Sequence, residues 1–138
     1  MIFVDASAIV ALLCREASAE RIAGLLDKGE HLCTSPIAML EAVLAIVHRK
    51  DYPPRLARDE VSAFAIRAKI AVVAIDADLF RQAVVAFDQY GKGRHSKAKL
   101  NMGDCFAYAA SKAQNASILF VGDDFNHTDL RDALADNT

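Results

Sequence analysis

Five acidic residues stand where the pattern of the chain hands a strand or a helix start toward a common edge: Asp5, Glu41, Asp104 and the neighbouring Asp123 and Asp124. Asp5 follows the apolar run Ile2 to Val4 and precedes Ser7 by two positions. Ser7 is suited to cap a helix, which would leave the Asp5 carboxylate free for chemistry at a strand end. Asp76 is the contrasting case, since it also ends an apolar run but no separate cap follows it, and it reads as a helix cap. Glu41 lies inside the apolar-rich stretch SPIAMLEAVLAIVHRK. At about 100° per residue it falls between Ile37 and Leu44 and near His48, at the border of the apolar stripe rather than on the solvated face. A carboxylate there pairs with His48, reaches solvent along its own stem, or is held by a cation, because a buried unpaired ion is expensive.

Asp104 sits in the first turn of a predicted helix, where the macrodipole favours an acid. Gly103 before it and Ala107 on its own face leave space for a cation and a substrate phosphate. Spacing alone does not decide between Asp123 and Asp124. Asp123, first after Gly122, is taken as the acid that projects toward Asp5, with Asp124 facing solvent or capping the turn. If these acids converge, two carboxylates about 5 Å apart repel by roughly 3 kcal/mol at an effective dielectric of about 20, so a cluster of them requires a counter-charge. An all-carboxylate donor set suits Mg²⁺ or Mn²⁺ rather than zinc. Such an ion activates water and stabilises in-line phosphoryl displacement.

The loop GKGRHSKAK brings Lys92, Arg94, His95, Lys97 and Lys99 directly before Asn101 and Asp104. It is either solvated surface or a grip on a nucleic-acid backbone beside the acids. A formal net charge of −2 excludes tight, indiscriminate nucleic-acid binding and makes any such contact local. With no Trp and 7% aromatic residues, base stacking has little support. The three cysteines, Cys14, Cys33 and Cys105, are widely spaced and form no CxxC pair, so they read as reduced, buried thiols rather than as a disulfide framework or zinc site. The opening MIFVDASAIVALL has no basic leader and is too short to span a bilayer. These features predict a cytoplasmic protein with no membrane segment.

The elements that must position the acids alternate. Strands are expected at Ile2 to Val4, His31 to Thr34, Ala71 to Ile75 and Ser117 to Val121, the unbroken apolar run Ala71 to Ile75 reading as a strand covered on both faces. Between them fall helices over Ala8 to Leu13, from Ser18 to Gly29, from Ile37 to about Lys50 behind Ser35 and Pro36, from Arg55 to Lys69, from Asp76 to about Tyr90 and from Gly103 to about Asn115. A short last helix is expected near Asp129 to Leu134. The 138 residues, 54% hydrophobic and 25% charged, amount to a single domain, 1–138, with no repeat or linker dividing it. Such alternation predicts a parallel sheet flanked by helices, with ligands held at the carboxyl ends of the strands.

Four segments in this order, FVDASAIV, SPIAMLEAVLAI, KGRHSKAKLNMGDCFAYAAS and LFVGDDFNHTDL, resemble the PIN-domain ribonucleases of the VapC toxin type from Met1 to about Leu130. The resemblance implies a PIN-like three-layer α/β/α fold around a central, mainly parallel sheet of about four to five strands. It further implies Mg²⁺- or Mn²⁺-dependent endoribonuclease activity on RNA, a homodimeric toxin, and neutralisation by a VapB-like antitoxin. Carried over, Asp5 and Asp104 form the core metal pair, and Glu41 and Asp123 of the GDDF turn complete it. Many PIN domains place that last acid one residue earlier relative to the phenylalanine, where this chain has Gly122. Ser7 matches a hydroxyl position near the first acid and Asn101 a polar position before the third, both placed to support the acids by hydrogen bonds. Two rival readings differ in chemistry. A haloacid dehalogenase-type phosphatase would need a second acid where Ser7 stands, and a non-catalytic interaction module would keep the scaffold without using the acids.

Overall fold

A computed structural model, described over residues 1–135, places strand β1 (Ile2–Val4) at the heart of the sheet. It pairs in parallel with β2 (Leu32–Thr34) on one side and β4 (Ser117–Leu119) on the other; β3 (Ile70–Val72) lies beyond β2, giving the order β3-β2-β1-β4. Parallel neighbours need crossovers, and six helices of the described residues supply them: α1 (Ala6–Leu13), α2 (Ala19–Leu26), α3 (Pro36–Lys50), α4 (Pro54–Arg67), α5 (Ala77–Tyr90) and α6 (Met102–Ala113). The result is the expected three-layer α/β/α arrangement, with four strands that are all parallel. Phe3, Ile9, Ile22, Ile46, Ile118 and Leu119 are among the side chains wholly buried between sheet and helices. The chain passes from β1 to neighbours on both sides, so the carboxyl ends of β1 and β4 bound the crevice where a sheet of this kind holds its ligand.

Local chemistry explains most element starts. Ser35 Oγ accepts from Ala38 N (3.1 Å), and Pro36 opens α3 with its preset φ. Asp76 Oδ1 accepts from Leu79 N (2.9 Å), so Asp76 caps α5 as expected. Three expectations are corrected. The cap of α1 is Asp5 rather than Ser7, and the helix begins at Ala6. The run read as a fully covered strand, Ala71 to Ile75, is the shorter β3, in which only Ile70 is buried, because β3 forms the edge of the sheet. The segment Asp129 to Leu134 is not an α-helix. Asp132 bridges in parallel to Ile118, with Ile118 N donating to Arg131 O (2.9 Å) and Ala133 N to Ile118 O (2.9 Å), so the open side of β4 captures it as extended chain. No helix among the described residues is long and apolar enough to cross a membrane.

Candidate active site

Asp5 is held at the end of β1 by its backbone, whose N–H donates to Leu119 O (3.0 Å), and its side chain turns to cap α1. Oδ2 accepts from both Ser7 N (3.1 Å) and Ser7 Oγ (2.6 Å). Ser7 Oγ in turn accepts from Val121 N (3.0 Å), which ties Asp5 to the chain leaving β4. Capping and chemistry are therefore not alternatives here: a cap at a strand-to-helix junction points its carboxylate out of the sheet edge. Asp5 is only 7% exposed. Burial, its largest influence, raises its proton affinity against the bonds from Ser7.

Asp104 is the third residue of α6 and completes a capping box with Asn101. Asn101 Oδ1 accepts from Asp104 N (2.9 Å), and Asp104 Oδ2 accepts from Asn101 N (3.1 Å). Asn101 thus touches the acid in the way expected of it. Asp104 is 8% exposed. Burial pushes its carboxyl up to about 6, with Asn101 opposing and the charges of Asp124 and Asp5 adding to the rise.

Glu41 rises from α3 toward the start of α6. His48, the partner considered from spacing, is exposed, whereas Glu41 is half-buried. The space beside Gly103 is not open, as the small residue suggested, but is taken by the Glu41 carboxylate. A β-carbon on Gly103 would lie 2.6 Å from Glu41 Cδ and 2.8 Å from Oε1, and would overlap Oε2. Burial first, then the charges of Asp5, Asp104 and Asp124, push the Glu41 carboxyl up to about 7.

Of the two acids in the GDDF turn, Asp124 is the one that recurs among these influences. Gly122, at φ 108, reverses the chain after β4. Asp123 accepts from Asn126 Nδ2 (3.0 Å), while the charge of Asp124 acts on Asp5, Glu41 and Asp104. Phe125 next to it is buried and packs edge-on against Phe120 (5.3 Å between centroids), which anchors the turn. The available signal was the acid immediately before an apolar anchor.

The charges acting on these acids are one another's; those of Lys92, Arg94, His95, Lys97 and Lys99 are not among them. That loop is pinched at its base, Leu100 N donating to Tyr90 O (3.0 Å) and Lys92 N to Leu100 O (3.2 Å). Arg94 is engaged by Asp88 (2.9 Å) and stacked near Phe87, while the other four cations are exposed. Among the described residues no three carboxylates, imidazoles or thiols are drawn close enough together to share one ion. The acids instead act on one another through their charges. Their donor set is oxygen throughout, and its need for positive charge fits a hard divalent cation. Cys14, Cys33 and Cys105 are free thiols, the last two buried, as expected.

The fold and this edge define an acid-centred α/β domain, and comparison with known proteins agrees. The PIN domain family model matches residues 2–130. Ribonuclease VapC30 of Mycobacterium tuberculosis is 39% identical over 127 residues, covering 92% of this chain and 94% of its own. Among solved structures, VapC20 of M. tuberculosis, a toxin cleaving the sarcin-ricin loop, superposes with a TM-score of 0.74 at 20% identity over 95% of this chain and 99% of its own. A toxin-antitoxin complex from Klebsiella pneumoniae contains a chain similar at a TM-score of 0.65 and 13% identity, with 91% of this chain and 90% of that one covered. The chain belongs to the PIN-domain family and, within it, to the VapC ribonucleases.

Proposed function

We propose that this protein is an endoribonuclease toxin that works in the cytoplasm with Mg²⁺ or Mn²⁺ held by Asp5 and Asp104, Glu41 and Asp124 positioning the ion or its water. The observation that carries this reading is the mutual influence of Asp5, Asp104 and Glu41, where burial and neighbouring acidic charge disfavour ionisation and call for a positive counter-charge. A bound divalent ion would offset that charge and supply a water made acidic enough to attack phosphorus. The residues of the chain do the rest. Ser7 and Asn101 hold Asp5 and Asp104 by hydrogen bonds, so that their remaining lone pairs face the crevice. Lys92, Lys97 and Lys99 offer exposed positive charge to an RNA backbone and His95 an exposed ring nitrogen, while Arg94, paired with Asp88, braces the loop.

A VapB-like antitoxin is the partner proposed for this toxin. An apolar groove of about 490 Å³ between α3 and α4, lined by Met39, Leu40, Val43 and Val61, has the shape for a helix with one apolar face. Homodimerisation is proposed through α5, whose Phe80, Val84 and Phe87 form an exposed apolar stripe.

Asp5→Asn tests the nuclease reading cleanly, because asparagine caps a helix as well as aspartate and keeps an acceptor for Ser7. Purified Asp5→Asn protein should fold, show wild-type circular dichroism, and lose RNA cleavage in Mg²⁺ or Mn²⁺. A folded variant that cleaves RNA at the wild-type rate overturns the assignment.

A further inference from the structure

The turn that carries Asp124 is fastened at two ends. Its near end is the bond from Val121 N to Ser7 Oγ, which already touches Asp5. Its far end is Asp129, both of whose carboxylate oxygens are held by α6: Tyr108 Oη donates to Oδ1 (2.6 Å) and Lys112 Nζ to Oδ2 (2.9 Å). We propose that Tyr108 and Asp129 are positioning residues for the acid cluster, their hydrogen bond holding the Asp124 turn against the helix that carries Asp104. Its consequence for metal binding rests on the nuclease reading above; the mechanical part does not.

Tyr108 lies one helical turn after Asp104, so whatever is bonded to it is placed relative to Asp104 by rigid backbone. The turn transmits that placement because it is stiff. Thr128 N (3.2 Å) and Thr128 Oγ1 (2.8 Å) both donate to Phe125 O, Leu130 N donates to Thr128 Oγ1 (3.3 Å), and Asn126 N donates to Asp123 O (3.1 Å). The phenol is buried, and Tyr90 at the end of α5 packs against it with ring centroids 5.4 Å apart, so it has little freedom to turn. Burial and then the Asp129 carboxylate hold its proton in place, which keeps Tyr108 a donor at every working pH. The Lys112 contact is half exposed on both sides and contributes little to such a fastening. Beyond Asp129 the backbone of Arg131 and Ala133 is bonded to Ile118 of β4, so the Tyr108 hydroxyl is the buried side-chain fastening nearest the Asp124 turn.

The experiment compares wild type, Tyr108→Phe, Asp129→Ala and Asp129→Asn by hydrogen exchange of the metal-free protein, followed over residues 120–127, and by calorimetric titration with Mn²⁺. Tyr108→Phe and Asp129→Ala should both speed exchange in that segment, raise the Mn²⁺ Kd by about tenfold or more, and leave Tm within about 2 °C. Asp129→Asn retains an acceptor for Tyr108 and should behave as wild type. In an Asp124→Asn background, Tyr108→Phe should cost no further Mn²⁺ affinity. Unchanged exchange in Tyr108→Phe, or an equal loss of affinity with and without Asp124, overturns the proposal. Should Tyr108→Phe fail to fold, the exposed Asp129→Ala decides in its place. A wild-type protein that binds no Mn²⁺ would sink the metal reading, and exchange alone would then decide the fastening.

Discussion

Replacing Gly103 with alanine separates stability from function in a way the structure makes quantitative. Gly103 is the second residue of α6 and has no left-handed φ, so its backbone accepts alanine. Glycine costs about 1 kcal/mol relative to alanine inside a helix and somewhat less in a first turn. By that effect alone Gly103→Ala stabilises the protein. The new β-carbon, however, would stand 2.6 Å from Glu41 Cδ, so the Glu41 carboxylate must swing out of its place beside Asp104. Leaving takes Glu41 out of the burial and away from the three neighbouring acids that push its carboxyl up to about 7. Both effects point the same way, to a metal-free Tm raised by about 2–3 °C. RNA cleavage and Mn²⁺ affinity should fall, each by about tenfold or more, as expected when a metal-site carboxylate is displaced. Melting in EDTA, Mn²⁺ calorimetry and an RNA cleavage assay read these three quantities. In a Glu41→Ala background the alanine at 103 should have no effect on cleavage. A Gly103→Ala protein that cleaves RNA and binds Mn²⁺ like wild type would refute the reasoning.

Three further outcomes follow from the charges. Asp124→Asn should lower RNA cleavage by about a hundredfold while Asp123→Asn stays within about twofold, measured side by side on one RNA, since only Asp124 acts on the other acids. Metal-free stability should fall as pH rises from about 4 to about 7. The folded state binds protons more tightly than the unfolded one, Glu41 moving from 4.5 to about 7 and Asp104 from 3.8 to about 6, so the stabilisation is complete below the unfolded values and lost through the folded ones. Thermal melts across that range should show the decline, and saturating Mn²⁺ should reverse it at the alkaline end. Glu41→Gln should flatten the metal-free decline; a Glu41→Gln protein with the wild-type pH slope would show that the repulsion lies elsewhere.

The alternation of apolar runs with capped helices made the parallel sheet legible, and Ser35-Pro36, Asp76 and the strand at Ile2 are where local chemistry alone decides the outcome. The misplacements share a physical cause. β3 reads as a covered strand because apolar composition cannot say which strand lies at the edge. The segment after Thr128 reads as a helix because its local pattern is outweighed by the open side of β4, a tertiary partner that periodicity does not see. Gly103 reads as space, since a missing side chain does not announce that a glutamate from a distant part of the chain fills it. Asp123 and Asp124 could not be separated because the deciding quantity, the direction each takes after Gly122, belongs to the turn.

Two acids of the cluster have a sufficient structural reason to be where they are: Asp5 caps α1 and Asp104 closes a capping box. Taken singly, neither points to catalysis. What distinguishes them is that helix starts able to hold a carboxylate also hold its amide, so the charge is the one property their structural roles do not require. Asn at positions 5 and 104 would keep the caps and relieve the repulsion. Burial and neighbouring charge disfavour the ionised forms at the edge of β1 and β4, the edge at which open parallel sheets hold their ligands. That combination, caps that need no charge carrying charges the fold would be more stable without, is the physical signature of a site built for something the chain itself does not contain.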